Sequence, residues 1–254
     1  MVERVILYEA PTTVVDTEVL ANWLDERLDA TVTCEDRFLE RCIDDDALAV
    51  GFAESRVRSP NDRTTGNTML GVVRYESRVL ADPARAGGVL YDGIAIQHLL
   101  RRRLSSAERG LDQLHVILLD RAIGTWGHHD GRWHKRINVL GQPAIISIPG
   151  LYEAPAKPEA YYHIKQSHAM LSGDTPPREV LEGAVDGAFL AADDPRTTDA
   201  LKGIVLQAVH YLETGTAFCD DNRCRLYNAH HHEELVRAQL ESPSFCETHA
   251  ARYG

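Results

Sequence analysis

The C-terminal stretch Thr216–His249, TAFCDDNRCRLYNAHHHEELVRAQLESPSFCETH, contains two closely spaced pairs of metal-binding residues. Cys219 and Cys224 have four residues between them, and Cys246 and His249 have two. Thiolate and imidazole groups are the ligands that tetrahedral zinc prefers, and each short spacing lets one pair chelate a single ion. Four protein ligands leave no coordination position open for water, so the pattern predicts one structural zinc ion. The alternative is that the cysteines are buried free thiols and that His249 is a solvated residue of the tail.

The composition of the chain limits the classes to which the protein can belong. Of its 254 residues 44% are hydrophobic, yet no run of about 18 apolar residues occurs, so we expect no membrane-spanning helix. The formal net charge of −11 argues against a nucleic-acid-binding surface. Lysine is scarce among the 27 basic residues, and arginine with abundant carboxylates is typical of proteins kept in solution at high salt. The lysines are Lys135, Lys157, Lys165 and Lys202.

The cysteine count and the N-terminus indicate a cellular compartment. The chain has five cysteines, which is an odd number, and the opening sequence MVERVILYEAP reads as a first strand and not as an export signal. We therefore expect the protein to be cytoplasmic. In that reducing environment, clustered cysteines more often bind a metal ion than form disulfides.

Hydrophobic spacing predicts strands and helices that alternate up to Ile148, followed mainly by helices. The fold class that follows is α/β, with a mixed sheet packed by helices. Asp130 and Gly131, between two extended arms, predict a hairpin over residues 125–140, whereas the polar stretch Glu54–Asn67 predicts an exposed loop. The predicted strands are Val2–Tyr8, Ala30–Cys34, Leu114–Asp120 and Pro143–Ile148, and the predicted helices are Asp16–Leu28, Asp92–Leu104, Pro158–Met170, Pro177–Leu190 and Thr198–Thr214.

In its cysteine spacing, the C-terminal third resembles the archaemetzincins, which are zinc metallopeptidases with the signature HExxHxxGxxHC-x4-C-x-M and a later CxxC pair. In that family three histidines bind the catalytic zinc, the glutamate is the general base, and four cysteines bind a structural zinc. Cys219, Cys224 and Cys246 match three of these cysteines, and His249 stands in place of the fourth. The run FC-x4-CRLYNAH, which begins at Phe218, also resembles an archaeal family described as metallopeptidases. These resemblances imply a metzincin-like fold that ends in a zinc-bound subdomain.

The same alignment leaves the catalytic half of the signature without its functional groups. The three histidine positions are occupied by Ala208, Leu212 and Phe218, and the glutamate position by Val209. None of these side chains can bind zinc or accept a proton from water. Gly215 matches the glycine that ends the catalytic helix. The resemblance therefore implies a catalytically degenerate relative.

Other polar residues are weaker candidates for an active site. His210 and Glu213 are three residues apart on a predicted helix and share one face, but His210 lies nearly opposite the aligned catalytic positions. Further candidates are His134 in the predicted hairpin and the His230 cluster, residues 230–232. The alternative for each is an ordinary hydrogen-bonded or solvated residue. Asn228 is predicted to be the N-cap of the helix that contains this cluster.

Two hypotheses for the function remain open. In the first, the protein is a non-catalytic binding module that recognises a peptide or protein partner along a sheet edge. In the second, it is a metallopeptidase or metal-dependent hydrolase with a non-standard metal site. In both, we expect residues 1–215 to form a metzincin-like α/β domain and residues 216–254 to form a structural zinc subdomain packed on it.

Overall fold

A sheet of mainly parallel strands forms the centre of the molecule, and helices cover both faces of this sheet. The computed structural model describes residues 1–12, 14–42, 46–185 and 189–254. The strands are β1 Arg4–Tyr8, β2 Thr31–Glu35, β3 Val57–Ser59, β4 Asp62–Thr65, β5 Leu90–Asp92, β6 Gln113–Leu119, β7 Ala122–Gly127, β8 Arg132–Arg136, β9 Asn138–Val139 and β10 Ala144–Ser147. The helices are α1 Thr17–Asp25, α2 Asp46–Glu54, α3 Leu70–Ala81, α4 Gly93–Arg101, α5 Ile148–Glu153, α6 Glu159–Ser172, α7 Arg178–Gly183, α8 Thr197–Thr214, α9 His232–Val236 and α10 Glu247–Tyr253.

The main sheet has the strand order β2-β1-β6-β10-β9. The first four strands run parallel, and β9 is antiparallel at one edge. Every residue of β6 is buried, because this strand lies mid-sheet and alternate side chains enter the two cores. One core also contains α1 and α8, and the other contains α2 and α4. The mixed α/β sheet with packing helices that the sequence predicted is confirmed.

A smaller sheet with the order β5-β7-β8 carries the predicted hairpin. β7 and β8 are antiparallel, and in their turn Gly131 has a φ of 64°, which glycine adopts without strain. The predicted loop Glu54–Asn67 is wrong in part, because it contains the antiparallel strands β3 and β4. Trp133 of β8 holds this ribbon by donating its backbone N–H to Pro60 O (2.9 Å) and its indole N–H to Asp62 O (2.8 Å). These contacts come from a distant part of the chain, so the local sequence does not indicate them.

The helix predicted at Pro177–Leu190 is shorter in the structure. It corresponds to α7, which begins at Arg178 and ends at Gly183. Glycine is a poor helix former, which favours an end at this position. Residues 186–188 of the predicted range lie outside the described residues.

The prediction that Asn228 is a helix N-cap is wrong. α9 begins at His232, and His231 is its N-cap. Ala156 donates its backbone N–H to His230 O (2.7 Å) and accepts that of His232 (3.0 Å). These two bonds form a bridge to a distant segment and keep the chain extended up to His231.

Helix α8 ends as predicted and leads directly into the cysteine segment. Gly215 follows it with a φ of 76°, the left-handed conformation common at helix C-termini. Leu226, Leu235 and Tyr253 share one hydrophobic core with α8 and with the main sheet. The proposed boundary after residue 215 stays a prediction. None of the described helices is both long enough and apolar enough to cross a bilayer.

A buried ion pair connects α3 to the loop after β6. The side chains of Glu76 and Arg121 are 0% and 1% exposed, and Arg121 Nη1 lies 2.5 Å from Glu76 Oε2. Tyr91 donates its hydroxyl hydrogen to Glu76 (2.9 Å), and its oxygen accepts a bond from Arg121 (2.8 Å). The guanidinium also lies over the Phe52 ring, 4.1 Å from its centroid. Because both charges are desolvated and their other ion-pair contacts are longer, at 3.6 and 3.9 Å, each depends mainly on the other for its stabilisation.

We expect Glu76→Ala to lower the free energy of unfolding by about 3–5 kcal/mol, because it leaves the Arg121 charge buried without its partner. Urea denaturation followed by circular dichroism measures this change. The control is Glu26→Ala, which removes a carboxylate from a surface pair with Arg27. That change should cost less than about 1 kcal/mol. Similar small losses in both variants would contradict the role of the buried pair.

Candidate metal centre and neighbouring groove

Backbone structure brings the four predicted zinc ligands together from the two arms of the C-terminal segment. Cys219 and Cys224 follow α8, and the backbone N–H of Cys224 donates to Asp221 O (3.0 Å). The backbone N–H of Asp221 donates to Cys219 Sγ (3.4 Å), a contact that favours negative charge on the sulfur. Cys246 is the N-cap of α10, and His249 lies three residues later in its first turn. This spacing turns both side chains to the same side of the helix end.

The ligand atoms of these four residues form a cluster of the size that zinc requires. All four lie within 4.8 Å of one another. Cys219 Sγ is 3.7 Å from Cys246 Sγ. His249 Nδ1 is 3.0 Å from Cys246 Sγ and 3.6 Å from Cys224 Sγ. A tetrahedral ion with Zn–S bonds of about 2.3 Å separates two sulfur ligands by about 3.8 Å, so the residues fit zinc.

The protonation of the ligands depends on whether a cation is bound. Burial raises the pKa of Cys219 to about 12 and also raises the pKa of Cys224. Burial acts in the same direction on Cys246, but hydrogen bonds from the backbone N–H of His249 and from the other two thiols lower its pKa overall. Burial lowers the pKa of His249, which favours the neutral imidazole. Zinc binds thiolates and neutral imidazole, so binding would release protons and couple to folding.

His210 and Glu213, the weak catalytic candidates, both contact α10. His210 is buried, its Nδ1 lies 2.9 Å from the Tyr253 hydroxyl, and its ring packs edge-on against His249 with centroids 5.0 Å apart. Arg252 donates to Glu213 Oε2 (2.5 Å). Both residues therefore hold the helix that carries a predicted zinc ligand, and their catalytic role stays a prediction. Tyr253 and Arg252 were missed in the sequence, although helical spacing places both one turn after His249.

The other histidine candidates point in different directions. His134 Nε2 lies 2.8 Å from the aspartate of the hairpin turn. Within the His230 cluster, His230 is exposed, His231 is the N-cap of α9 and His232 is fully buried. Burial lowers the pKa of His232 to about 4, and its Nε2 lies 3.1 Å from Lys157 Nζ. Over the described ranges, the Cys3His cluster is the one group of three or more His, Cys, Asp or Glu side chains that lie close enough together to hold a metal ion.

An open groove of about 520 Å³ lies between the edge strand β9, α8 and the segment that follows Cys224. Three of its apolar side chains are well exposed: Ile94 (43%), Tyr211 (37%) and Phe218 (43%). His230 is the one imidazole among the described lining residues, which include no carboxylate and no thiol. The groove therefore has few groups that could bind a second metal ion.

The side of α8 that faces the groove differs from the side that the alignment suggested. Ile204, Gln207 and Tyr211 line the groove, and their spacing of three and four residues places them on one helix face. Ala208, the first aligned catalytic position, is 1% exposed and packs in the core, and Leu212 packs against that core. Of the three aligned histidine positions, the one that lines the groove is Phe218, which lies beyond the helix.

Comparisons with known proteins concern the family and the fold. Residues 6–252 match a family described as a family of unknown function (DUF7001), whereas no curated protein sequence matches the chain. Among solved structures, archaemetzincin from Methanopyrus kandleri is similar with 12% identity and a TM-score of 0.45, covering 97% of this chain and 91% of that one. A zinc-dependent peptidase from Methanocorpusculum labreanum (strain Z) is similar with 13% identity and a TM-score of 0.49, covering 98% of both chains. The first neighbour belongs to the family that the cysteine spacing resembles.

We expect Cys224→Ser to reduce the zinc content of the purified chain well below one ion and to lower Tm by about 5–10 °C, because three ligands hold the ion less tightly and metal binding contributes to folding. Elemental analysis and scanning calorimetry measure the two quantities. The control Cys34→Ser replaces an exposed cysteine outside the cluster and should change neither. Full zinc content and an unchanged Tm in Cys224→Ser would show that this thiol is not a ligand.

Proposed function

The chain belongs to the family of unknown function DUF7001, and we propose that it is a zinc-stabilised protein that binds an extended peptide without cleaving it. The observation that carries this proposal is the separation of the metal ligands from the groove. Cys219, Cys224, Cys246 and His249 would fill all four positions of a tetrahedral ion, and none of them lines the groove. Hydrolysis assisted by a metal needs a coordination position open to water, and this ligand set leaves none.

The walls of the groove suit an extended chain. β9 is the edge strand of the main sheet, so its outer side has no partner among the described strands. A peptide can add to such an edge as a further strand, with main-chain hydrogen bonds for affinity and side-chain contacts for selectivity. Asn138 Nδ2 donates to Gln207 Oε1 (3.3 Å), and Gln207 Nε2 donates to Tyr227 O (3.1 Å). These bonds join β9, α8 and the C-terminal segment. The walls of the groove are therefore held in place before a peptide binds, and they lose less conformational entropy on binding.

Exposed apolar side chains in the groove supply a driving force for binding. Ile94, Tyr211 and Phe218 come from α4, α8 and the segment after α8, and all three face the same space. A single exposed apolar residue is ordinary on a protein surface, but several around one concavity mark an interaction site. Aromatic residues are frequent binding hot spots because they bury a large area with few rotatable bonds.

We expect one zinc ion per chain and no hydrolysis of general peptide substrates. The physical reason is that the Cys3His cluster can hold one ion. For a second zinc ion, the described lining of the groove offers one imidazole as a ligand. Elemental analysis of tag-free protein after a chelator wash measures the stoichiometry, because a histidine tag would add metal of its own. A content near two ions, with peptide hydrolysis that is lost in His210→Ala or His134→Ala, would support the alternative of a hydrolase with a non-standard metal site.

We expect Tyr211→Ala and Phe218→Ala each to weaken peptide binding about tenfold, since each removes an exposed ring from the groove. Decapeptides selected from a random library on the zinc-loaded wild-type chain serve as probes, and fluorescence anisotropy gives their affinities. The control Leu111→Ala removes an exposed apolar side chain that does not line the groove. The proposal fails if no peptide is enriched above background, or if all three variants bind the selected peptides as the wild type does.

A further inference from the structure

Three of the lysines, together with Arg178, line a second cleft beside the groove. This cleft has a volume of about 350 Å³ and is bounded by β8, α5, α6 and α7. Lys135, Lys157 and Lys165 reach it from separate segments of the chain. Lys135 and Pro155 also line the groove, so the two spaces adjoin. Although the net charge of the chain is −11, most of its lysines therefore lie around one concave surface.

Positive charge exceeds negative charge in this cleft. Lys135 Nζ lies 2.5 Å from a carboxylate of α5, and Lys157 Nζ lies 2.6 Å from Glu182 Oε1. Arg178 Nε lies 3.3 Å from the same Glu182 oxygen, so one carboxylate is shared between two cations. Lys165 forms no ion pair with any residue that the structure describes. Among the described residues, these four cations pair with two carboxylates, which leaves positive charge available for an anion.

Lys157 is the most enclosed of these cations. Its side chain is 7% exposed, and its Nζ lies 3.1 Å from His232 Nε2 in addition to the bond with Glu182. The rings of Tyr161 and Phe189 lie 5.4 and 4.8 Å from the same nitrogen. Burying an ammonium group is costly, and one carboxylate shared with Arg178 only partly offsets the cost. If Lys157 served only to form a structural ion pair with Glu182, the other cations around the cleft would have no role in that pair.

Tyrosine side chains hold the donors of the cleft in position. The Arg178 guanidinium lies over the Tyr152 ring, 4.3 Å from its centroid, which orients the planar group. The Tyr162 hydroxyl accepts the backbone N–H of Lys157 (3.1 Å), so its own hydrogen remains free to donate to a ligand. Donors whose positions are set before binding lose little conformational entropy when a ligand arrives.

We propose that this cleft binds an anionic oxygen group, a carboxylate or a phosphate. A guanidinium and several ammonium groups around one space match the charge and geometry of such a group. The group is carried either by an acidic residue of a peptide in the adjoining groove or by a free small molecule. The site does not depend on the proposed peptide binding, because Lys157, Lys165 and Arg178 lie outside the groove.

The first test uses the zinc-loaded, tag-free chain and measures the binding of inorganic phosphate and of succinate by calorimetry at low ionic strength. We expect both anions to bind, and Lys165→Gln to weaken the binding about fivefold, because it removes an exposed charge that pairs with none of the described carboxylates. The control Lys202→Gln removes the same charge from α8, where the lysine pairs with Asp199 (2.6 Å) away from the cleft. Equal zinc content and Tm in both variants show that folding is unaffected.

A second test distinguishes the two sources of the anion. Peptides that bind the groove are compared in pairs that differ by one Glu-to-Gln change. If only the acidic member loses affinity in Lys165→Gln, the anionic group belongs to the peptide. If the free anions alone respond to Lys165→Gln, the ligand is a small molecule, and this result stands even when no peptide binds. The proposal is overturned if neither free anion binds and no acidic peptide loses affinity in Lys165→Gln, or if Lys165→Gln and Lys202→Gln have the same effect.

Discussion

Helix α8 is buried by several elements that pack on different sides of it, and this packing connects the separate parts of the molecule. It packs on β6 and α1 on one side and on residues 237–241 on another. The second contact depends on Gly203, where an added Cβ atom would clash with the Gln239 side chain and the backbone of Arg225. The end of α8 delivers Cys219 to the metal centre, and its remaining face lines the groove. Packing therefore constrains most of the side chains of α8, and the groove is lined by a face that this packing leaves open.

The metal cluster, the groove and the basic cleft are built from different residues. The thiols and the imidazole of the metal cluster lie in a short C-terminal segment, where a bound ion would add folding free energy to that of the core that the segment shares with α8. The groove instead presents apolar rings and amides beside the edge strand β9, whose outer side has no partner among the described strands. The neighbouring cleft concentrates basic side chains in an otherwise acidic chain, and a concave, low-dielectric wall strengthens the field that such charges produce.

Two of the sequence-based predictions are wrong because a distant segment overrides a local preference. Polar residues and a proline made Glu54–Asn67 look like a loop, yet Trp133 holds two short strands there. Asn228 is a good N-cap by residue type, but the bridge to Ala156 keeps the chain extended past it. The helical period placed His210 on the side of α8 opposite the aligned catalytic positions. It could not show that Tyr253 and His249 contact His210 on that side.

Local pattern was sufficient for several strands and helices, for the end of α8 at Gly215 and for the candidate ligand set, because periodicity, capping and chelate spacing are properties of neighbouring residues. It did not indicate helices α2, α3 and α5 or strands β3, β4 and β5. Three features arise only when the chain is folded. These are the meeting of the two ligand pairs within bonding distance of one ion, the face of α8 that opens to the groove, and the shared cleft of Lys135, Lys157 and Lys165. Each depends on packing between segments far apart in sequence, and no spacing along the chain encodes those distances.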